Sequence, residues 1–294
     1  MSNARPARQR LKKPRPNRRP VLRHIANLWS LVGYPAPKTE WSLEQKLKAV
    51  KAAGFDGFTT QLTPEHAALG ERLGLIRIGY FSCGDGDQFE KLLKEQKACG
   101  AFHVNVQLAD HDTPTSQAVK LAKRLMTAGK KISVQPSIEV HRDTCTETPE
   151  KTFALADSYK RQTGELLRMT WDHSHPAIIK HLAPPYWERL GVRLDLIKSA
   201  QQFHFRPFNG HHCQIPVTDG RGNLTPELRD YLPFVEELMR AWVKKAGPGR
   251  EFFAVPEMGP VAGGYNLHCL PNAWEEAKIL RGQIEMCWKR ALRG

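Results

Sequence analysis

This chain of 294 residues lacks an apolar run of the roughly 18 residues that a membrane-crossing helix needs. Cysteine is sparse and scattered: Cys83, Cys99, Cys145, Cys213, Cys269 and Cys287 include no Cys-x-x-Cys pair. That spacing excludes a dense disulfide framework and leads us to expect free thiols in a reducing compartment. A Gly-rich phosphate turn is also missing. The first strand-like run is followed by Gly33-Tyr34-Pro35, which argues against an open dinucleotide-binding sheet. Acidic residues are absent from residues 1–24, where nine Lys or Arg occur. Removing those nine from the 44 basic residues leaves 35 against 30 acidic ones, so most of the net charge of +14 sits at the N-terminus. A basic, Pro-rich block of this kind predicts a disordered, solvated tail over residues 1–20, with a tether to nucleic acid or an anionic surface as the sharper alternative. Arg18-Arg19 is not followed by a clean apolar signal core, since residues 20–33 carry Arg23 and His24. We therefore expect a cytoplasmic protein.

What is present describes an ordinary globular protein, 40% hydrophobic and 25% charged, with enough apolar residues for one large core. From Val21 onward strand-like and helix-like segments alternate. Ser42 with Gln45 three residues on makes a capping box. Thr63-Pro64-Glu65 and Thr148-Pro149-Glu150 mark helix starts with Pro at the first helical position, and Gly54, Gly74, Gly100 and Gly164 mark helix stops. The strands expected include residues 21–32, 101–108, 131–140, 166–171, 202–205 and 251–255. Eight strand–helix pairs predict an α/β protein, a parallel eight-stranded (β/α)8 TIM barrel over residues 21–294.

In such a barrel the active site forms at the C-terminal ends of the strands. Four successive strand ends carry Glu139, Asp172, His204 and Glu257. Carboxylates on neighbouring strands, about 4.8 Å apart, repel unless a cation sits among them. Three carboxylates and one imidazole suit a single divalent metal ion: Mn, Mg, Co or Zn. Any one of these residues alone would read as a helix cap or a salt-bridge partner. Their recurrence at consecutive strand ends is the signal.

The segments Glu139-Val140-His141-Arg142, Asp172-His173-Ser174-His175, His204-Phe205-Arg206 and Glu257-Met258-Gly259-Pro260 resemble the xylose-isomerase-like TIM-barrel superfamily of sugar isomerases and epimerases. Cys213-Gln214-Ile215-Pro216 is similar to the Pro-Gln-x-Pro of its sugar-phosphate isomerase branch, with Cys213 in place of Pro. The resemblance implies that Glu139, Asp172, His204 and Glu257 bind one divalent metal ion. It implies that Glu139 and Glu257 move a proton through a cis-enediolate, and that His175, with His141 and Arg206, contacts a sugar or sugar-phosphate substrate. Asn105 and Gln107, on the alternation of the fourth strand, are further candidate sugar contacts, with a polar core layer as the equal reading. Trp29 and Phe81 read as core residues before sugar platforms. A dehydratase or a lyase on a 3-keto-glycoside would use the same metal site. An endonuclease of the apurinic type fits poorly, because the loop Asp219-Gly220-Arg221 lacks the His of its extra zinc site, and the complete set of four ligands argues against a non-catalytic barrel that only binds a carbohydrate. Nucleic acid is thus not the expected partner, and a homo-oligomer is compatible with everything above. Arg142 alternates away from Glu139 and is expected to pair with a rim carboxylate; His211 and His212 read as an exposed loop. Deleting residues 1–20 is expected to leave turnover of a small substrate unchanged; steady-state kinetics of the truncated chain checks this, and a large loss would make the tail part of the site.

Overall fold

In the computed structural model, which describes residues 19–293, eight parallel strands close on themselves in sequence order, with β1 paired to both β2 and β8. The strands are β1 (Val21–Asn27), β2 (Gly57–Thr60), β3 (Ile76–Cys83), β4 (His103–Leu108), β5 (Gln135–Val140), β6 (Met169–Asp172), β7 (Gln202–Phe205) and β8 (Glu251–Pro256). Helices α1 (Leu43–Ala52), α2 (Pro64–Arg72), α3 (Phe89–Ala98), α4 (Thr115–Ile132) and α5 (Pro149–Thr163) each link consecutive strands. Three short helices, α6 (Ser174–Ile179), α7 (Trp187–Leu190) and α8 (Leu194–Ser199), fill the link from β6 to β7. Helices α9 (Pro226–Val243) and α10 (Ala273–Ala291) complete the ring. The (β/α)8 barrel read from the sequence is the fold observed. The basic tail expected over residues 1–20 lies outside the described residues, save Arg19 and Pro20. No helix among the described residues is long and apolar enough to cross a membrane, and all six cysteines are free.

One local device starts three of the helices. Thr63, Thr148 and Thr225 are extended N-caps whose hydroxyls accept the backbone N–H three residues on, and each is followed by Pro. Pro loses nothing there, because that N–H has no partner in the helix. Each such cap is worth about 1 kcal/mol. Ser42 and Gln45 form the reciprocal capping box expected at α1.

Alternation along the strands sorts the side chains. Outward, Phe203 and Phe252 stack at 4.5 Å and meet Trp242 of α9 and Trp288 of α10. Inward, the floor of the barrel is closed by Ile25, Ile78, Phe253 and Val255, with Ile76 packed against them. Above this floor the inward positions become polar, which leaves room for a site at the C-terminal mouth.

Two strand boundaries differ from expectation by four residues or more. The chain leaves β1 at Asn27, whose side chain accepts the Trp29 N–H at 3.0 Å and starts one turn of 3-10 helix over Leu28–Leu31. The segment from Lys131 continues α4 rather than opening β5; Lys130 and Lys131 sit in the last helical turn, where positive charge is favoured, and Ser133 ends the helix at φ 59°. Helix α4 then packs directly on β5 through Gly129, where an added Cβ would lie 2.4 Å from Cδ of Pro136. Neither the proline ring nor the Val134 carbonyl beside it can swing aside. Gly129→Ala is expected to lower stability by about 1–2 kcal/mol, because overpacking outweighs the gain in helix propensity; chemical denaturation of the two proteins checks it.

Candidate metal centre

Period-two alternation places Glu139 above Ser137, Asp172 above Thr170, His204 above Gln202 and Glu257 above Val255, all facing the barrel axis. All four site residues are buried, at 1%, 0%, 6% and 5% exposure. One ligand atom from each lies within 4.8 Å of the others. Among the described residues this is the one such cluster of His, Cys, Asp and Glu.

Each carboxylate divides its two oxygens between different tasks. Glu139 Oε2 accepts from Asn105 Nδ2 at 2.8 Å and Gln107 Nε2 at 3.0 Å. Its Oε1 lies 2.9 Å from His204 Nδ1. Asp172 Oδ1 accepts the Ser174 N–H at 2.9 Å, while buried Oδ2 lies 3.3 Å from both Arg206 Nη2 and His175 Nε2 without an aligned hydrogen bond. Glu257 Oε1 takes the Arg206 guanidinium, and Oε2, 2.6 Å from His204 Nδ1, has no aligned partner. His204 Nδ1 is likewise buried without an aligned hydrogen bond, although two carboxylate oxygens crowd it. Buried polar atoms this close normally pair. Here Glu257 Oε2 and His204 Nδ1 lie together without an aligned hydrogen bond, the arrangement expected of ligands aimed at a common centre.

The chemistry of this donor set fits a divalent ion. Three oxygens and one imidazole nitrogen match Mg, Mn, Co or Zn. Gln202 lies behind His204, with its amide nitrogen 2.9 Å from Nε2 and its Oε1 buried and unpaired. Rotating that amide by half a turn, which ordinary side-chain placement does not distinguish, lets Oε1 accept Nε2–H and leaves Nδ1 as the free lone pair a metal requires.

Electrostatics point the same way. Burial by itself raises the carboxylate pKa values and lowers that of His204. The charges overcome it: Glu139 falls to about 2 through His204, Asp172 lies well below its usual value through Arg206 and His175, and Glu257 is lowered by Arg206 and His204. Glu139 and Glu257 together hold His204 well above the ordinary imidazole value. The His204 proton thus occupies the place of a cation.

The other expected site residues fall into two groups. His141, Asn105, Gln107 and Arg206 line the same cavity as Glu139, His204 and Glu257, together with Trp29. His175 does not line it. Fully buried, it sits 3.3 Å from Asp172 Oδ2 through Nε2 and packs, tilted, against the His141 ring at 4.0 Å, and burial pushes its pKa down to about 4. Phe81 packs in the core, and His211 and His212 are exposed. Arg142 does turn from the cluster, but no carboxylate receives it. Its guanidinium lies 4.7 Å from the Tyr265 ring and 3.4 Å from Cys213 Sγ, because an aromatic face in the β8–α10 connection is what the fold brings there.

Two residues, Tyr80 and Tyr265, escaped the sequence reading, and Gln214 was seen only as part of a motif with no role assigned. Tyr80 donates to Gln107 Oε1 at 2.8 Å and so fixes the amide that holds Glu139; its alternation with the inward Ile78 was available as a signal. Gln214 exchanges two hydrogen bonds with Gly259, donating to its carbonyl at 3.0 Å and accepting its N–H at 2.6 Å. This ties the connection after β7 to the one after Glu257. Tyr265 had no motif. Its ring lies 4.7 Å from the Arg206 guanidinium and edge-on to Trp29 at 4.7 Å.

No family model matches the sequence, and no curated protein matches it at significant similarity. Solved structures do. An L-ribulose 3-epimerase superposes at TM-score 0.60 with 15% identity, over 92% of this chain and 95% of its own. A 3-keto-D-glucoside 4-epimerase from E. coli gives 0.55 and 14%, over 90% and 99%. A xylose isomerase-like TIM barrel protein from Mycobacterium smegmatis, in complex with magnesium, gives 0.55 and 14%, over 90% and 97%. At such identities the likeness is one of fold: this chain has the fold of the xylose-isomerase-like TIM barrels.

A metal and the His204 proton compete for one place, so the metal-free and metal-loaded proteins should answer pH oppositely. A raised histidine pKa contributes stability in full below the unfolded value near 6.5, and that contribution is lost as pH rises through the folded value. Chelator-treated protein is therefore expected to lose thermal stability from neutral to alkaline pH. Metal uptake should strengthen over the same range, with close to one ion bound per chain and a proton released. Thermal melts and calorimetry in buffers of different ionisation heat check this.

Proposed function

We propose that the protein is a divalent-metal-dependent epimerase or isomerase that acts on a small keto-sugar by proton transfer through a cis-enediolate. The observation that carries the reading is that Glu139 of β5 and Glu257, just beyond β8, present carboxylates to one cavity from either side of His204 Nδ1, at 2.9 and 2.6 Å. Glu139, Asp172, His204 and Glu257 would hold the ion, which when bound supplies a Lewis acid for a carbonyl and its neighbouring hydroxyl.

The chain's own residues supply the rest. Both glutamates have lowered pKa values, so both are ionised at neutral pH and able to accept a proton from carbon. One removes it and the carbon becomes planar; the other, having taken a proton from solvent, delivers it to the opposite face and inverts the centre, and the first then releases its proton to solvent, so the protons balance over a turnover. Return of the proton to the adjacent carbon makes the same step an isomerisation. The two bases are set differently. Glu139 is held by neutral amides and Glu257 by a guanidinium. Arg206 Nε and Nη1 have no protein partner, although the residue is buried, and these N–H groups are the donors left for an enediolate oxygen. His141 lines the cavity and is assigned a sugar hydroxyl; His175 behind it is assigned the placement of Asp172. The epimerase names of structural neighbours support the reading.

The test is a panel of ketoses and keto-glycosides with Mn2+ in D2O. Deuterium is expected to enter beside the carbonyl, and a product lacking a substituent on the next carbon would assign the lyase instead. Glu139→Gln and Glu257→Gln should each lower the exchange rate by about 10²–10⁴-fold with near-native melting temperature. Survival of the rate in either variant would remove that residue from the proton transfer.

A further inference from the structure

The metal-ligating residues lie on β5–β8, but the cavity does not stop there. Its volume is about 570 Å3, and it crosses the barrel mouth to the β1–α1 and β2–α2 connections on the opposite side. That volume is in the range that holds ligands of drug size, roughly 300–1,000 Å3, and one pyranose ring chelated at the cluster leaves the far side unfilled. The far wall is built from Leu28, Val32, Leu43, Lys46, Gln61 and His66. Val32 is 41% exposed there, an apolar side chain held open to solvent.

The far wall has no charge left to bind an anion. The Lys46 ammonium is joined to the Glu40 carboxylate. His66 Nδ1 accepts the Thr63 N–H at 3.2 Å, and burial holds the imidazole pKa down, so the ring is neutral. The N-termini of α1 and α2, which could cradle a phosphate, are taken by their own capping boxes. On the near side Arg206 pairs with Asp172 and Glu257 through Nη2, and its remaining Nε and Nη1 are buried and already assigned to the enediolate oxygen.

We propose that the substrate is a neutral keto-glycoside, whose sugar ring lies at the cluster and whose aglycone or second ring occupies the Leu28–Val32–Leu43 wall. This rests on the proton-transfer reading above and names its substrate class. It selects against both a free ketose, which leaves the far wall wet, and a sugar phosphate, whose dianion would meet no free cation on the far wall. Trp29, edge-on to Tyr265 at 4.7 Å, stands where the two halves of the cavity meet.

The experiment compares carbon-bound proton exchange in D2O, with Mn2+, for a free ketohexose, its 6-phosphate and a phenyl 3-keto-glucoside. The phenyl glycoside is expected to show a kcat/KM at least about tenfold above the other two, the discrimination that a modest apolar contact supplies. Val32→Trp and Leu43→Trp fill the far wall, and each should shrink that ratio severalfold. Val32 is surface-exposed, so at least one variant should fold. A ketohexose or its phosphate exchanging as fast as the glycoside, or a ratio unmoved in both folded variants, overturns the assignment while leaving the proton-transfer reading standing. Exchange with none of the three overturns both.

Discussion

Three buried carboxylates and a single buried imidazole, with one ligand atom of each within 4.8 Å of the others, are the constraint on which the rest of this structure depends. Two like charges 4 Å apart cost about 4 kcal/mol even at an effective dielectric of 20, and Glu139, Asp172 and Glu257 all meet around His204. Arg206 cancels one of the three charges. Two remain, which is the charge of one divalent ion. Without the ion a proton on His204 offsets only one of them, and it does so by taking the lone pair that a ligand would need. The amides of Asn105 and Gln107 on Glu139, and of Gln202 on His204, belong to the same account. They direct one oxygen of Glu139 and one nitrogen of His204 outward from the centre and so leave the other aimed inward.

The fold was legible because its signals are local. Thr-Pro-Glu at helix starts, Gly at helix ends and the alternation of short apolar strands each specify one element, and eight of them leave little choice of architecture. The four-residue cluster was legible for a related reason. In a parallel barrel, position along a strand maps directly onto height along the axis, so Glu139, Asp172, His204 and Glu257 at strand ends must arrive at one level. Where the reading failed, a local pattern met a competing one. The Asn27 side chain turned the chain out of β1, and Lys130-Lys131 prolonged a helix that was expected to have ended.

What could not be read was contact across connections. Arg142 was expected to find a carboxylate, since alternation says only which way a side chain leaves its strand. It found Tyr265 instead, a residue 123 positions away that no spacing announces. Gln214 was visible as part of a motif, but its purpose appears only when Gly259 is beside it. A side chain on Gly259 would meet the Trp29 ring at 2.5 Å, so the clasp, the glycine and the tryptophan form one unit.

The Tyr265 ring lies 4.7 Å from the guanidiniums of both Arg142 and Arg206. Such contacts are worth about 0.5–1 kcal/mol when exposed and about 2 or more when desolvated, and Arg206 is at 1% exposure. The wall that Tyr265 makes with Trp29 is therefore held in part by the residue that neutralises Glu257. A divalent ion at the cluster would draw on the same carboxylates that fix Arg206, so the state of the ligand set and the shape of the cavity wall are joined through one side chain. That coupling explains why a guanidinium, rather than an ammonium, belongs here. Its edge can serve Asp172 and Glu257 while its faces remain free for the aromatic rings, which a point charge with no plane could not do.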